Sequence, residues 1–214
     1  MKALTTMTAI AAMLGVWTTA SKALAQTPDL TVNISLTATV QGDTTEGDTT
    51  TSTARPSRVR LNNKDILNLV ATDHGTNYAP GSKIVLLGDD DTFVVEDRQG
   101  NILDSIPELT FTEGDHPVTS GKIRNDDNSG TQTVMQLVTL SFDDSAESDN
   151  PIVISASGIL TGHSTISRLN KNDEQRLNAS GSARLAGDGT VGGANAVVSG
   201  NLHGSGRGTF TAAP

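Results

Sequence analysis

The chain has 214 residues and a formal charge of −9; that size fits one domain, occasionally two, and the acidity opposes nucleic acid phosphates and anionic lipid surfaces as partners. It contains no cysteine, which excludes disulfides, a thiol nucleophile and zinc–thiolate centres. Aromatic residues make up only 3%, too few for the stacking platforms of sugar or nucleic acid binders or for the aromatic girdles of an outer-membrane barrel.

Residues 1–25 have the pattern of a cleavable secretory signal peptide. Lys2 gives a positive start, Ala3 to Trp17 is apolar or small, and Ala23-Leu24-Ala25 offers small residues where a signal peptidase cuts. The apolar run is shorter than the roughly 20 residues that span a bilayer, so cleavage is expected rather than anchoring. A lipid-modified route needs a cysteine at the cut, and there is none. The expected mature chain, from Gln26 onward, loses Lys2 and Lys22 and carries −11. The expectation is one β-rich domain over 26–214, exported to the periplasm or beyond, with no transmembrane segment after cleavage.

Strict alternation from Thr31 to Val40 puts Val32, Ile34, Leu36, Ala38 and Val40 on one face and predicts a half-buried strand. Turn residues at Gly42 to Asp48 and a threonine-rich tract follow, read as a hairpin with a returning strand. The period then changes. Asn62 or Asn63 can cap a helix near residues 63–71, with Asp65 in its first turn and Ile66, Leu67 and Val70 at helical spacing. The segments KIVLLG, TFVVED and NILDSI, punctuated by acidic and glycine turns, predict consecutive hairpins.

ELTFTEG continues the meander, and Gly114, Pro117 and Gly121 read as breaks. In TQTVMQLVTLSF one face carries Val134, Gln136, Val138, Leu140 and Phe142, and is more apolar than the face of Thr133, Met135, Leu137, Thr139 and Ser141. Pro151 to Leu169 also reads as β. In the Gly/Ala/Ser-rich C-terminal region, Leu177, Ala179, Gly181, Ala183 and Leu185 alternate. RLNASGSARLAG, ANAVVSGNL and GRGTF read as three strands, joined by GDGTVGG and HGSG turns, with small residues where backbones approach closely. Roughly ten antiparallel strands and one short helix predict an all-β sandwich or barrel.

Catalytic signatures are missing: no Gly-x-Ser-x-Gly, no His-Glu-x-x-His, no phosphate-binding Walker loop. His74, His116, His163 and His203 stand apart, each beside a turn. Three acidic turns, Asp89 to Asp91, Asp126 to Asn128 and Asp143 to Asp149, are the candidates for calcium loops. Oxygen side chains recur at 143, 145, 147 and 149, yet the central glycine and closing glutamate of an EF-hand are absent. No catalytic, cofactor-binding or metal-ligating residue is therefore assigned, and no cofactor is expected. The leading expectation is a non-enzymatic binding or structural domain of the cell envelope, its partner another envelope protein or a small ligand. A calyx-like carrier with a cavity lined by residues such as Val94, Leu137 and Ile154 is one alternative. A hydrolase using two carboxylates about 5–10 Å apart is the other.

Overall fold

A computed structural model describes residues 28–41, 57–88, 92–115, 117–124, 129–146, 148–172 and 174–211. The signal segment 1–25 and the threonine-rich tract after Gln41 lie outside them. β1 (Leu30–Val40) follows its alternation, with Leu30, Val32, Ile34, Leu36 and Ala38 buried. The chain returns as β2 (Arg58–Asn62), paired antiparallel with β1 from Thr39↔Arg58 to Ser35↔Asn62; the threonine-rich tract expected to form the returning strand lies outside the described residues.

At Asn62 the strand becomes a helix, α1 (Asn63–Asp73). The Asn62 side chain accepts from the Lys64 and Asp65 amides at 2.9 and 3.2 Å, and Asp65 accepts from the Asn62 amide at 3.1 Å. This reciprocal capping box satisfies first-turn donors that the helix cannot pair itself. Ile66 and Val70, one turn apart, pack into the core.

The hairpins β3 (Lys83–Leu86), β4 (Phe93–Glu96) and β5 (Ile102–Ser105) come next. β6 (Leu109–Glu113) and β7 (Val118–Ile123) both pair with β8 (Gly130–Asp143). Three long strands finish the chain: β9 (Ile152–Ile166), β10 (Glu174–Val191) and β11 (Ala194–Thr211).

The eleven strands of the described residues belong to one sheet, in the order β5-β4-β3-β1-β11-β10-β9-β8-β6, with β2 also on β1 and β7 also on β8. The sheet curls into a half-barrel; of the two expected architectures the barrel-like one is present, and two facing sheets are not. The ends of this path, β5 and β6, are neighbours in sequence. Their connector pairs with both flanks: the Ile106 amide donates to Phe93 O at 2.8 Å, and the Asp143 amide donates to Glu108 O at 2.9 Å.

Two sequence expectations need correcting. Gly114, Pro117 and Gly121 were read as breaks, but Gly121 lies within β7, where a Cβ would stand 2.3 Å from Thr131 O; the glycine permits close backbone approach instead of marking a turn. The C-terminal region forms two strands instead of three. Only Gly192 and Gly193, at φ +57° and +78°, make the β10–β11 turn, the left-handed pair that a two-residue hairpin requires. GDGTV and HGSG continue the strands on either side.

The strand glycines of β9, β10 and β11 share the concave face with the buried aliphatics. Gly181 pairs with Gly162 on one side and Gly204 on the other, a row of three without side chains. A surface that curves inward crowds its inner side chains, and glycine and alanine there relieve the crowding. Ala156, Ala179, Ala183 and Ala196 occupy the same face and are buried.

Two strands have an edge shared between two shorter partners, and a side-chain amide serves each junction. On β1, between β2 and β3, Asn63 Nδ2 donates to Val32 O and Asn63 Oδ1 accepts from the Ile34 amide, both at 2.6 Å. The side chain thus reproduces a ladder rung. On β8, between β6 and β7, the buried Gln136 donates through Nε2 to Gly114 O.

Candidate functional site

The sequence-flagged groups separate widely. His116, Glu147 and the acidic turns 89–91 and 126–128 lie outside the described residues. His163 and His203 point from the outer face, His163 with Nδ1 3.0 Å from Thr133 Oγ1. In the 143–149 run, Asp143 accepts from the Ser145 amide at 2.9 Å in a turn; hydrogen bonding from the Ser145 side chain, and then from that amide, holds its carboxyl below the ordinary range. Among the described residues no group of three or more His, Asp or Glu is arranged to hold a metal ion.

His74, just past the end of α1, is the histidine that gathers partners. Its Nδ1 lies 2.8 Å from Asp104 Oδ2 on β5 and its Nε2 3.0 Å from Glu108 Oε1 on the connector. Tyr78 donates its hydroxyl to the same Asp104 oxygen at 2.7 Å. Hydrogen bonding to Asp104 and then to Glu108 raises the His74 pKa above its ordinary value, against a smaller opposing effect of burial. Burial pulls Asp104 upward, but the bonds from His74 and Tyr78 outweigh it and hold the carboxyl below its usual range. Burial, with the bond to Asp104, raises the Tyr78 hydroxyl well above its ordinary value.

An imidazole with both nitrogens bonded to carboxylates has no lone pair for a metal and no free nitrogen for a substrate proton. The cluster instead ties α1 to the point where the sheet's two ends meet. Close by, Asp144 is 1% exposed and accepts from the Ile152 amide at 2.5 Å. Burial, helped by the charges of Asp143 and Glu108, raises its pKa. Glu108 Oε2 and Asp144 Oδ2 are both buried without a hydrogen-bond partner. A hydrolytic carboxylate pair must open onto a cleft, and these two oxygens are closed off from solvent.

The outer face presents different chemistry. Its register runs in rows across the strands, mostly serine, threonine and asparagine: Thr139 meets Ser157 at 2.7 Å between hydroxyls, and Ser141 meets Ser155 at 3.0 Å. Within this polar field stand four aliphatic side chains, Val118, Met135, Leu137 and Ile159, exposed by 68, 48, 52 and 53%. Val118 is opposite Met135, Leu137 is opposite Ile159, and Met135 and Leu137 are next neighbours on one face of β8, so the four form one patch. Ile159 also borders a shallow hollow of about 490 Å³ with Thr161, Ser182, Arg184, Asn201 and His203.

Of the residues named for an interior cavity, Val94 and Ile154 are buried, whereas Leu137 stands on the outer face. The sequence pattern had marked that face as the less apolar one without showing that its few aliphatics adjoin. Their adjacency depends on the pairing of β7, β8 and β9, which alternation within one strand does not encode. The His74 cluster was hidden for the same reason, since its carboxylates lie 30 and 34 residues away. No protein-family model, no curated protein and no solved structure matches this chain.

Proposed function

We propose that the chain is an exported, non-enzymatic β-domain that binds a protein partner of the cell envelope through the outer face of β7, β8 and β9. The observation that carries this reading is the patch of Val118, Met135, Leu137 and Ile159. Most of the other rows of that face carry hydroxyl side chains, among them Thr131 with Thr165, Thr139 with Ser157 and Ser141 with Ser155. Burying an aliphatic side chain of this size is worth about 1.5–3 kcal/mol, and a contiguous exposed group of them marks an interaction surface more often than scattered single residues do. The serine and threonine rows around it supply a polar rim of the kind that surrounds interface cores.

Export rests on the pattern of residues 1–25, and predicts an exported chain that begins at Gln26. Intact-mass measurement of the exported protein tests that part. The binding role is tested by placing a photo-crosslinking residue at Leu137 and, in a separate variant, at Thr37 on β1, far across the same face. A discrete adduct to one envelope protein from position 137, with none from 37, supports the role. Equal labelling from both positions, or none from either, contradicts it.

A further inference from the structure

We propose that the end of the sheet where β7 stops and β9 stops is a binding site for a tetrahedral oxyanion, a phosphate or sulfate group. A second hollow, of about 440 Å³, opens there, and Lys122, Arg124 and Arg168 converge on it. The chain carries 24 acidic residues against 15 Lys and Arg, so three cations around one concavity run against its overall charge. Among the described residues none of the three forms an ion pair.

The floor is laid by register. Lys122 on β7 is opposite Thr131 on β8, and Thr131 is opposite Thr165 on β9, so an ammonium and two hydroxyls stand in one row. Arg124 follows β7 and Arg168 follows β9 at the same end. Guanidinium groups bind phosphate or sulfate oxygens in a bidentate fashion, and the ammonium and hydroxyls add single donors. Net charge does not decide the matter, because at physiological salt it is screened beyond about 8 Å, whereas these cations would contact the ligand. The acidic residues nearest in sequence, Asp126 and Asp127, lie between Arg124 and Ser129, so they belong in the test.

The site does not depend on the aliphatic patch, from which the row of Ser120, Thr133 and His163 separates it. The experiment titrates inorganic phosphate, inorganic sulfate and vesicles containing phosphatidylglycerol against the purified protein, followed by amide chemical shifts. The expected result is saturable shifts at Lys122, Thr131 and Thr165, with affinity weakened tenfold or more in R124Q and in R168Q and lost in K122Q/R124Q/R168Q. Response to the small anions identifies a free or saccharide-borne group as the source; response to vesicles alone identifies a lipid headgroup. Binding that survives in the triple variant, or no response to any of the three probes, overturns the proposal. It is equally overturned if only D126N/D127N binds, since the chain's own carboxylates then satisfy the cations.

Discussion

Asn63 shows how much one side chain can contribute when it stands in for backbone. Removing its amide leaves the Ile34 N–H and the Val32 carbonyl of β1 without their rung, and an unmade hydrogen bond at a half-buried site costs about 1–3 kcal/mol. N63A is expected to lower stability by about 2 kcal/mol, read as a shift in the urea midpoint at unchanged slope. N63D keeps the acceptor and loses the donor, so it should fall between. The sequence offered Asn62 and Asn63 as equivalent caps; Asn62 takes that role, and Asn63 serves β1, a strand about thirty residues earlier. Local pattern locates a cap, but not a bond to a distant strand.

His74 makes stability depend on pH. Its folded pKa is raised above the ordinary 6.5, so its contribution is fully present below that value and is lost as pH rises through the higher folded pKa. His74 is 24% exposed, so the cluster is worth about 1 kcal/mol after solvent screening. The difference in stability between the native chain and H74Q should be greatest near pH 5–6 and should shrink above neutrality; a difference that does not vary over that range would rule out the imidazolium as the cause. Asp144 works in the opposite sense. A carboxyl whose pKa is raised by burial and by like charges destabilises the fold once ionised. D144N retains an acceptor for the Ile152 amide and should therefore raise stability at pH 7, with the gain shrinking as pH falls through the raised folded pKa and gone below the ordinary 3.8, where the carboxyl is protonated in the folded and unfolded chain alike.

At the scale of elements, alternation carried most of the information. The buried faces of β1 and β8 are those that periodicity assigns, and Leu177, Ala179, Gly181, Ala183 and Leu185 all face the concave side. Glycine was the ambiguous residue. In Gly192–Gly193 it makes a turn, while in Gly187, Gly189 and Gly200 it lies inside long strands. A Cβ at Gly187 would stand 2.0 Å from Ser155 O, and one at Gly200 2.2 Å from Ser35 O. These contacts are with backbone, which cannot swing aside. G187V and G200V are expected to cost roughly 3 kcal/mol or more each, whereas G193N, at a left-handed position with open space around it, should be nearly neutral. Thermal melts of the three variants compare them directly. A single sequence does not separate the two uses of glycine, because the difference lies in how near the neighbouring strand runs.

For the whole molecule, the two faces of one sheet divide the work. The concave face holds the aliphatic core, thinned by glycine and alanine where it curves, and the connector from Ile106 to Glu108 joins the two ends under the His74 cluster. The convex face is rich in hydroxyl side chains and carries the aliphatic patch of β7, β8 and β9. All-β class, the approximate strand number and the one helix among the described residues were readable from composition and period. The curl of the sheet was not, because it depends on β5 and β6, adjacent in sequence, standing at opposite ends of the sheet path.

Beyond residues 1–25, Met135 is the only methionine in the sequence, and it lies at the centre of the patch, 48% exposed. Its thioether is readily oxidised to the sulfoxide when accessible. Hydroxyl-radical footprinting of the purified protein and of the same protein in its native envelope, with exposed Leu103 on β5 as internal reference, therefore reports whether the face is covered. A partner bound at β7, β8 and β9 predicts rapid Met135 oxidation in the purified protein and several-fold protection in the envelope. Equal Met135 oxidation in both settings, relative to Leu103, would contradict a binding role for this face.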